Sequence, residues 1–205
     1  MSDAIGYKAP RWAWWLATGL GSGWMRPAPG TWGSLAGLLV WGLFVLLVPL
    51  PFTNWCALHP GHPHVWLFRH LMELPFLIAI GSLTWIGVRA SDHVVRETGL
   101  KDPGFIVVDE WVGIWIALWP LRWDLALGAG QVFTGLGGKR MAVILGIPFM
   151  VFRILDIWKP WPVAQLQDLP EGQGVVADDL VAGLYSIPIV MLLVPPALAW
   201  LQRLS

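Results

Sequence analysis

The stretch FIVVDEWVGIWIALW, Phe105 to Trp119, decides how this sequence is read. It is apolar except for one adjacent pair of acids, Asp109 and Glu110. Such a pair is expensive in apolar surroundings unless something else requires it. What surrounds it follows from composition. Of 205 residues, 56% are hydrophobic, 13% are charged and 16 are tryptophan. A soluble domain is roughly 25% charged. A mean hydropathy of +0.62 agrees, and the chain reads as an integral membrane protein, since a soluble fold of this size has too little interior for so much apolar surface.

The gaps between charges locate the membrane segments. Leu35–Phe52, Leu74–Val88, Phe105–Leu121, Met141–Trp158 and Leu180–Gln202 are each apolar enough to be candidates, against the roughly 20 residues a spanning helix needs. The reading is an all-α, integral membrane helical bundle of about five transmembrane helices, four being the alternative, in a single domain over residues 1–205. The glycine-rich run Leu125–Gly138 is read as either re-entrant or a surface excursion. The N-terminus lacks a clear small-residue cleavage site and is not read as a signal peptide. Five crossings put Lys8, Arg11, Arg26, Arg89, Arg96, Lys101, Arg153 and Lys159 on one face, and Arg69, Arg122, Lys139, Arg140 and Arg203 on the other. The excess places the first face in the cytoplasm.

Other chemistries drop out quickly. Thirteen acids balance thirteen Lys and Arg residues, and without a basic patch there is no case for nucleic acid. The single cysteine, Cys56, excludes an internal disulfide and a cysteine-based metal site. His59, His62, His64 and His70 lie in a proline-rich loop on the opposite face, without helical metal-site spacing, and read as solvated. The tryptophans read mainly as interface anchors.

Four polar clusters remain, all on the first face. Asp109 and Glu110 point about 100° apart on a helix, so both border one cleft; Gly113, a turn later, lets another helix approach closely. In FRILDIWKPWP, Arg153, Asp156 and Lys159 follow one another at i, i+3 spacing and share a helical face. Pro160 and Pro162 then end the helix. In VVADDLVAG, Asp178 and Asp179 open the last apolar helix, with small Ala182 and Gly183 behind them. In RPAPGTWGSL, Gly30, Thr31 and Ser34 lead into the first long helix, where backbone N–H groups and hydroxyls suit a phosphate.

Each cluster also has a structural reading. The Asp178–Asp179 pair caps a helix, Arg153 and Asp156 form an interior ion pair, and the glycine-rich turn is an ordinary helix start. The acids at 109 and 110 have no such cheap role. Together the clusters supply five carboxylates, two cations and an anion-friendly turn. Oxygen-rich, sulfur-free donors suit Mg²⁺. Arg153 and Lys159 suit phosphate oxygens. This is equipment for phosphoryl chemistry.

GLGSGWMRPAPGTWGSL, GLKDPGFIVVDEWVGIWI, VFRILDIWKPWP and GQGVVADDLVAG occur in that order. Over roughly Leu16 to Gly183 the chain resembles the phosphatidylglycerophosphatase A family. That resemblance implies a Mg²⁺-dependent phosphatase of the bacterial inner membrane, acting in phospholipid biosynthesis. It would convert phosphatidylglycerol phosphate to phosphatidylglycerol and inorganic phosphate at the cytoplasmic face. The resemblance matches these positions without assigning roles; with the chemistry above, Asp109, Glu110, Asp156, Asp178 and Asp179 are the candidate metal ligands, and Asp109, Glu110, Asp156 and Lys159 the candidate catalytic groups. Arg153, Lys159, Gly30, Thr31 and Ser34 are the implied phosphate-binding groups. It does not say which acid is ligand, base or nucleophile, and it names no protein partner. Residues 53–73 and 124–140 look longer than in compact members. Three other readings stay open: a transporter or channel using the same acids, a structural scaffold in which the charges only pair helices, and a phosphatase for another lipid phosphate. A channel predicts polar groups spread through the bilayer depth.

Overall fold

The computed structural model describes residues 7–48, 73–121, 135–170 and 172–204, with isolated positions between 55 and 71. Among the described residues the elements are helical: α1 (Arg11–Ala17), α2 (Pro29–Leu47), α3 (Glu73–Thr98), α4 (Val108–Leu118), α5 (Gly135–Trp158), α6 (Val163–Leu166) and α7 (Gly172–Arg203). Short 3₁₀ turns follow α1 and α4. The bundle is an all-α membrane fold in which α2, α3, α5 and α7 are long and apolar enough to cross a bilayer.

The segment quoted first departs from expectation. Phe105–Leu121 was expected as a full span, but only Val108–Leu118 is α-helical. Pro103 and Gly104 precede it, and Pro120 follows within the 3₁₀ turn Trp119–Leu121; the residue before a proline is pushed out of helical geometry. Eleven residues give a helix about 16 Å long, half of a hydrocarbon layer roughly 30 Å thick. α4 is nevertheless the centre of the molecule. All its residues except Asp109 are buried, and it packs on α7, α2, α3 and α5.

Small residues make that burial possible. On α2, Gly33 and Gly37 lie on one face. A Cβ on Gly33 would press into Val107, and one on Gly37 into Trp111. The Trp115 indole then donates to the Gly37 carbonyl at 2.9 Å. On α7, a Cβ at Gly183 would come within 2.6 Å of the Gly113 carbonyl. Both glycines were expected to mark close faces, and they are each other's contact.

α4 runs antiparallel to α3. Its start lies against Gly87, and just past its end the Trp119 indole donates to Glu73 at 3.2 Å. Beyond the polar turn the interior is aromatic: Trp41 sits 5.2 Å from both Phe76 and Trp115 between ring centroids. The starts of α2, α4 and α7 and the end of α5 therefore gather at one end of the bundle.

α7 also differs from expectation. It begins at Gly172, so Asp178 and Asp179 lie beyond its first turn and do not cap it. The Gly172 N–H is instead taken by Asp92 of α3 at 2.7 Å. Pro188, Pro195 and Pro196 lie inside α7. Gly135 to Gly138, the tail of the ambiguous glycine-rich run, form the first turn of α5; its earlier part lies outside the described residues. His59, His62 and His64 are exposed, and His70 lies outside the described residues.

Candidate functional site

Four helix ends bring the four sequence clusters together. From α2, the Ser34 hydroxyl donates to Glu110 Oε2 at 2.7 Å. Gly30, one turn earlier, leaves no room for a side chain: a Cβ there would collide with the Glu110 carboxylate and sit 3.1 Å from the Arg153 guanidinium. Thr31 is half-buried beside it. Pro29 is compatible with the first helical turn because its missing N–H would be unpaired there. No side chain caps α2, so the N–H groups of its first turn remain for a ligand.

From α5, the Arg153 guanidinium pairs with Glu110 and, at 2.7 Å, with Asp156 Oδ2. Arg153 and Asp156 thus form the expected i, i+3 pair, extended to α4. α5 ends at Trp158, as Pro160 and Pro162 require. Lys159 follows in the left-handed region, φ +48°, which costs a non-glycine residue about 1–2 kcal/mol. The turn carries Lys159 off the helical face it was expected to share with Asp156, and Nζ meets Asp178 Oδ2 of α7 at 2.7 Å. Burial acts to lower the Lys159 pKa; its hydrogen bond to Asp178, then the charges of Asp178, Asp156 and Asp179, outweigh that and raise it. Lys159 stays charged.

Carboxylate oxygens of Asp156, Asp178 and Asp179 lie within 4.8 Å of one another. Asp178 Oδ1 is buried and has no hydrogen-bond partner. Asp109 is half-buried; its carboxylate accepts from the Glu110 N–H at 3.0 Å and lies within electrostatic reach of Glu110 and Asp178. Among the described residues it has no cationic partner. The five acids face two cations, leaving a formal excess of three negative charges in a half-closed site. An arrangement of this kind demands protons or a bound cation.

Every sequence-predicted site residue therefore lies at this end. Two features were not foreseen. Beyond the expected Arg153–Asp156 pair, Arg153 also engages Glu110 of α4 and Lys159 engages Asp178 of α7. Asp92 supports the site by holding the start of α7, and no local signal could show this, because its partner is 80 positions away. Between the two ends, α2 has no charged residue, and neither do Leu74–Val88 of α3, Met141–Phe152 of α5 or Leu180–Gln202 of α7. A polar path through the bundle is not built from those segments.

Comparison with known proteins agrees with this geometry. The sequence model of one family, described as Phosphatidylglycerophosphatase A, matches residues 15–194. Phosphatidylglycerophosphatase A of Escherichia coli (strain K12) is 32% identical over 176 residues, covering 85% of this chain and 79% of that one. The Haemophilus influenzae protein of the same name is 29% identical over 179 residues, covering 85% and 84%. A Bacteroides thetaiotaomicron relative named "Putative phosphatidylinositol-3-phosphatase" is 32% identical over 179 residues, covering 85% and 89%. No solved structure matches the chain. With its motifs gathered at one end of a membrane bundle and the match spanning nearly all of them, the chain belongs to the phosphatidylglycerophosphatase A family and is a lipid phosphatase.

Proposed function

We propose that the protein hydrolyses phosphatidylglycerol phosphate to phosphatidylglycerol and inorganic phosphate, with Mg²⁺ as cofactor, in phospholipid biosynthesis. The observation that carries this is the gathering of five carboxylates, Arg153, Lys159 and the uncapped start of α2 at one end of an apolar bundle. The positive-inside excess supports placing that end on the cytoplasmic side, in this reading of a bacterial inner membrane. There the acyl chains stay in the bilayer while the headgroup reaches the acids.

The donor set fits Mg²⁺: Asp156, Asp178 and Asp179 converge, all donors are oxygen, and Asp178 Oδ1 lacks a partner. These three would hold the ion. When bound, it supplies Lewis acidity toward water and a phosphoryl oxygen. The remaining groups divide the work. Asp109, which stands outside the Asp156–Asp178–Asp179 group and has no cationic partner among the described residues, takes a proton from the attacking water. Arg153 fixes Glu110 and Asp156, and Ser34 fixes Glu110 from the other side. Lys159, on a short pivot past the helix end, turns from Asp178 to a phosphate oxygen. The N–H groups of Gly30 and Thr31 meet the phosphate at the start of α2.

A second reading has one observation in its favour. The name of the Bacteroides relative suggests a phosphatase for another lipid phosphate. Phosphate release by purified protein separates the readings. The expected order puts phosphatidylglycerol phosphate above phosphatidylinositol-3-phosphate and phosphatidic acid, with EDTA abolishing release and added Mg²⁺ restoring it. Faster release from phosphatidylinositol-3-phosphate would establish the second reading. Release unaffected by EDTA would remove the metal.

A further inference from the structure

Residues 10–26 build a feature that the phosphatase reading does not use. α1 is followed by Gly19, Leu20 and Gly21, with φ of +54°, +57° and +94°. Leucine rarely adopts this backbone, yet here it leaves Leu20 exposed. Trp12, Trp15, Trp24 and Met25 are exposed around it. Large apolar side chains displayed together in this way mark an interaction surface.

The patch contains a cavity of about 270 Å³ lined by Trp14, Trp15, Thr18, Leu20, Gly21 and Trp24. Two polar groups of its walls are already satisfied. The Thr18 hydroxyl donates to the Trp14 carbonyl at 2.7 Å, and the Trp14 indole N–H donates to Glu97 at 2.7 Å. The cavity therefore suits an apolar occupant. Its frame is stiff: Trp24 stacks on Phe105 with centroids 4.7 Å apart, and Trp14 stacks on Phe105 at 5.7 Å. The Val107 N–H donates to the Ala17 carbonyl at 2.8 Å. The patch is thus fastened to the chain two residues before Asp109, at the site's end of the bundle.

Lys8, Arg11 and Arg26 flank the patch and are exposed. None forms an ion pair with a described residue. Tryptophans with an apolar body and a polar edge settle at headgroup depth. Cations beside them attract an anionic membrane surface. The apolar surface continues onto the exposed Trp32, Leu35 and Leu39 of α2. We infer that residues 10–26 form an interfacial site for an anionic phospholipid of the surrounding leaflet. Part of one acyl chain fills the tryptophan cavity, and the headgroup meets Lys8, Arg11 and Arg26. The site holds the leaflet against the segment that leads into α4.

The test uses the full chain with Cys56→Ser and a nitroxide label at Leu20→Cys, and separately at Trp15→Cys in case one position perturbs the loop. The protein is placed in phosphatidylcholine bilayers with or without phosphatidylglycerol, free of any phosphomonoester lipid. The label then reports bulk lipid rather than substrate. The expected result is collision with oxygen exceeding collision with an aqueous nickel chelate, at headgroup depth, with stronger immobilisation when phosphatidylglycerol is present. Lys8→Gln, Arg11→Gln and Arg26→Gln combined should abolish that phosphatidylglycerol-dependent change, each cation contributing about fivefold to the preference. Three results would overturn the proposal. Dominant collision with the chelate means an aqueous patch. A mid-bilayer depth means an ordinary lipid-facing span. Identical spectra in the two bilayers mean no anionic headgroup is recognised.

Discussion

The two halves of α4, polar and apolar, are held in place by different means. Its first turn holds Asp109 and Glu110 among three more acids, an arginine and a lysine. From Val112 to Leu118 every residue is buried and apolar. The second half is held by close backbone approach, with Gly183 against Gly113 and Trp115 on Gly37. The first half is held by charge, through Ser34 and Arg153. The difference teaches how a short helix carries an excess of acids at membrane depth. Protein rather than lipid covers its apolar half, so the polar half is fixed in position and its ends need not reach both interfaces.

Substitutions on either side of that divide should fail in different ways. The largest effect is expected from Asp179→Asn. If Asp179 holds the proposed ion, its loss removes several kcal/mol of transition-state stabilisation, about a hundredfold to ten-thousandfold in rate. Thermal unfolding of the metal-free protein should change little, and rate and melting measured on one preparation check both. Gly183→Leu should do the reverse. Its side chain would drive into the Gly113 backbone and the Ile116 side chain, so about 3 kcal/mol of stability is lost, and yield of folded protein measures it. A Gly183→Leu variant that melts like the parent would remove close α4–α7 packing from the account.

Smaller effects test the seam between the halves. Gly30→Ala puts a methyl group against Glu110 and Arg153. Displacement of that pair by a fraction of an ångström should cost about tenfold or more in rate, with the melting temperature nearly unchanged. Normal kinetics would mean the start of α2 lies outside the working geometry. The smallest effect is expected at His62→Ala, because His62 is exposed in the loop of the far face. Activity and Mg²⁺ dependence should match the parent, whereas a changed metal response would bring the histidines back.

Much of this was legible in the amino-acid order, for a physical reason. Acids inside an apolar run are costly, so Asp109 and Glu110 announced themselves, whereas Asp156, Asp178 and Asp179 gained weight only together with them. Small residues within a turn of the acids announced the close faces at 113 and 183. The length of α4 was less legible: apolar character reads the same whether protein or lipid covers it, and only the flanking Pro103 and Pro120 hinted at a short helix. The start of α7 was missed because Asp92 supplies its cap across space. The partner of Lys159 was missed because helical spacing was carried one residue past the helix, where positive φ turns the side chain toward Asp178.

A metal site at the acidic end of the bundle, built on Asp156, Asp178 and Asp179 as proposed, would bind a divalent ion whether or not substrate is present. Direct binding of Mn²⁺, standing in for Mg²⁺, to purified protein tests it without reference to turnover. The parent should bind the ion, Mg²⁺ should displace it, and Asp179→Asn should lose most of that binding while remaining folded. Equal Mn²⁺ binding by parent and variant, or no binding by a parent that releases phosphate, would contradict the account.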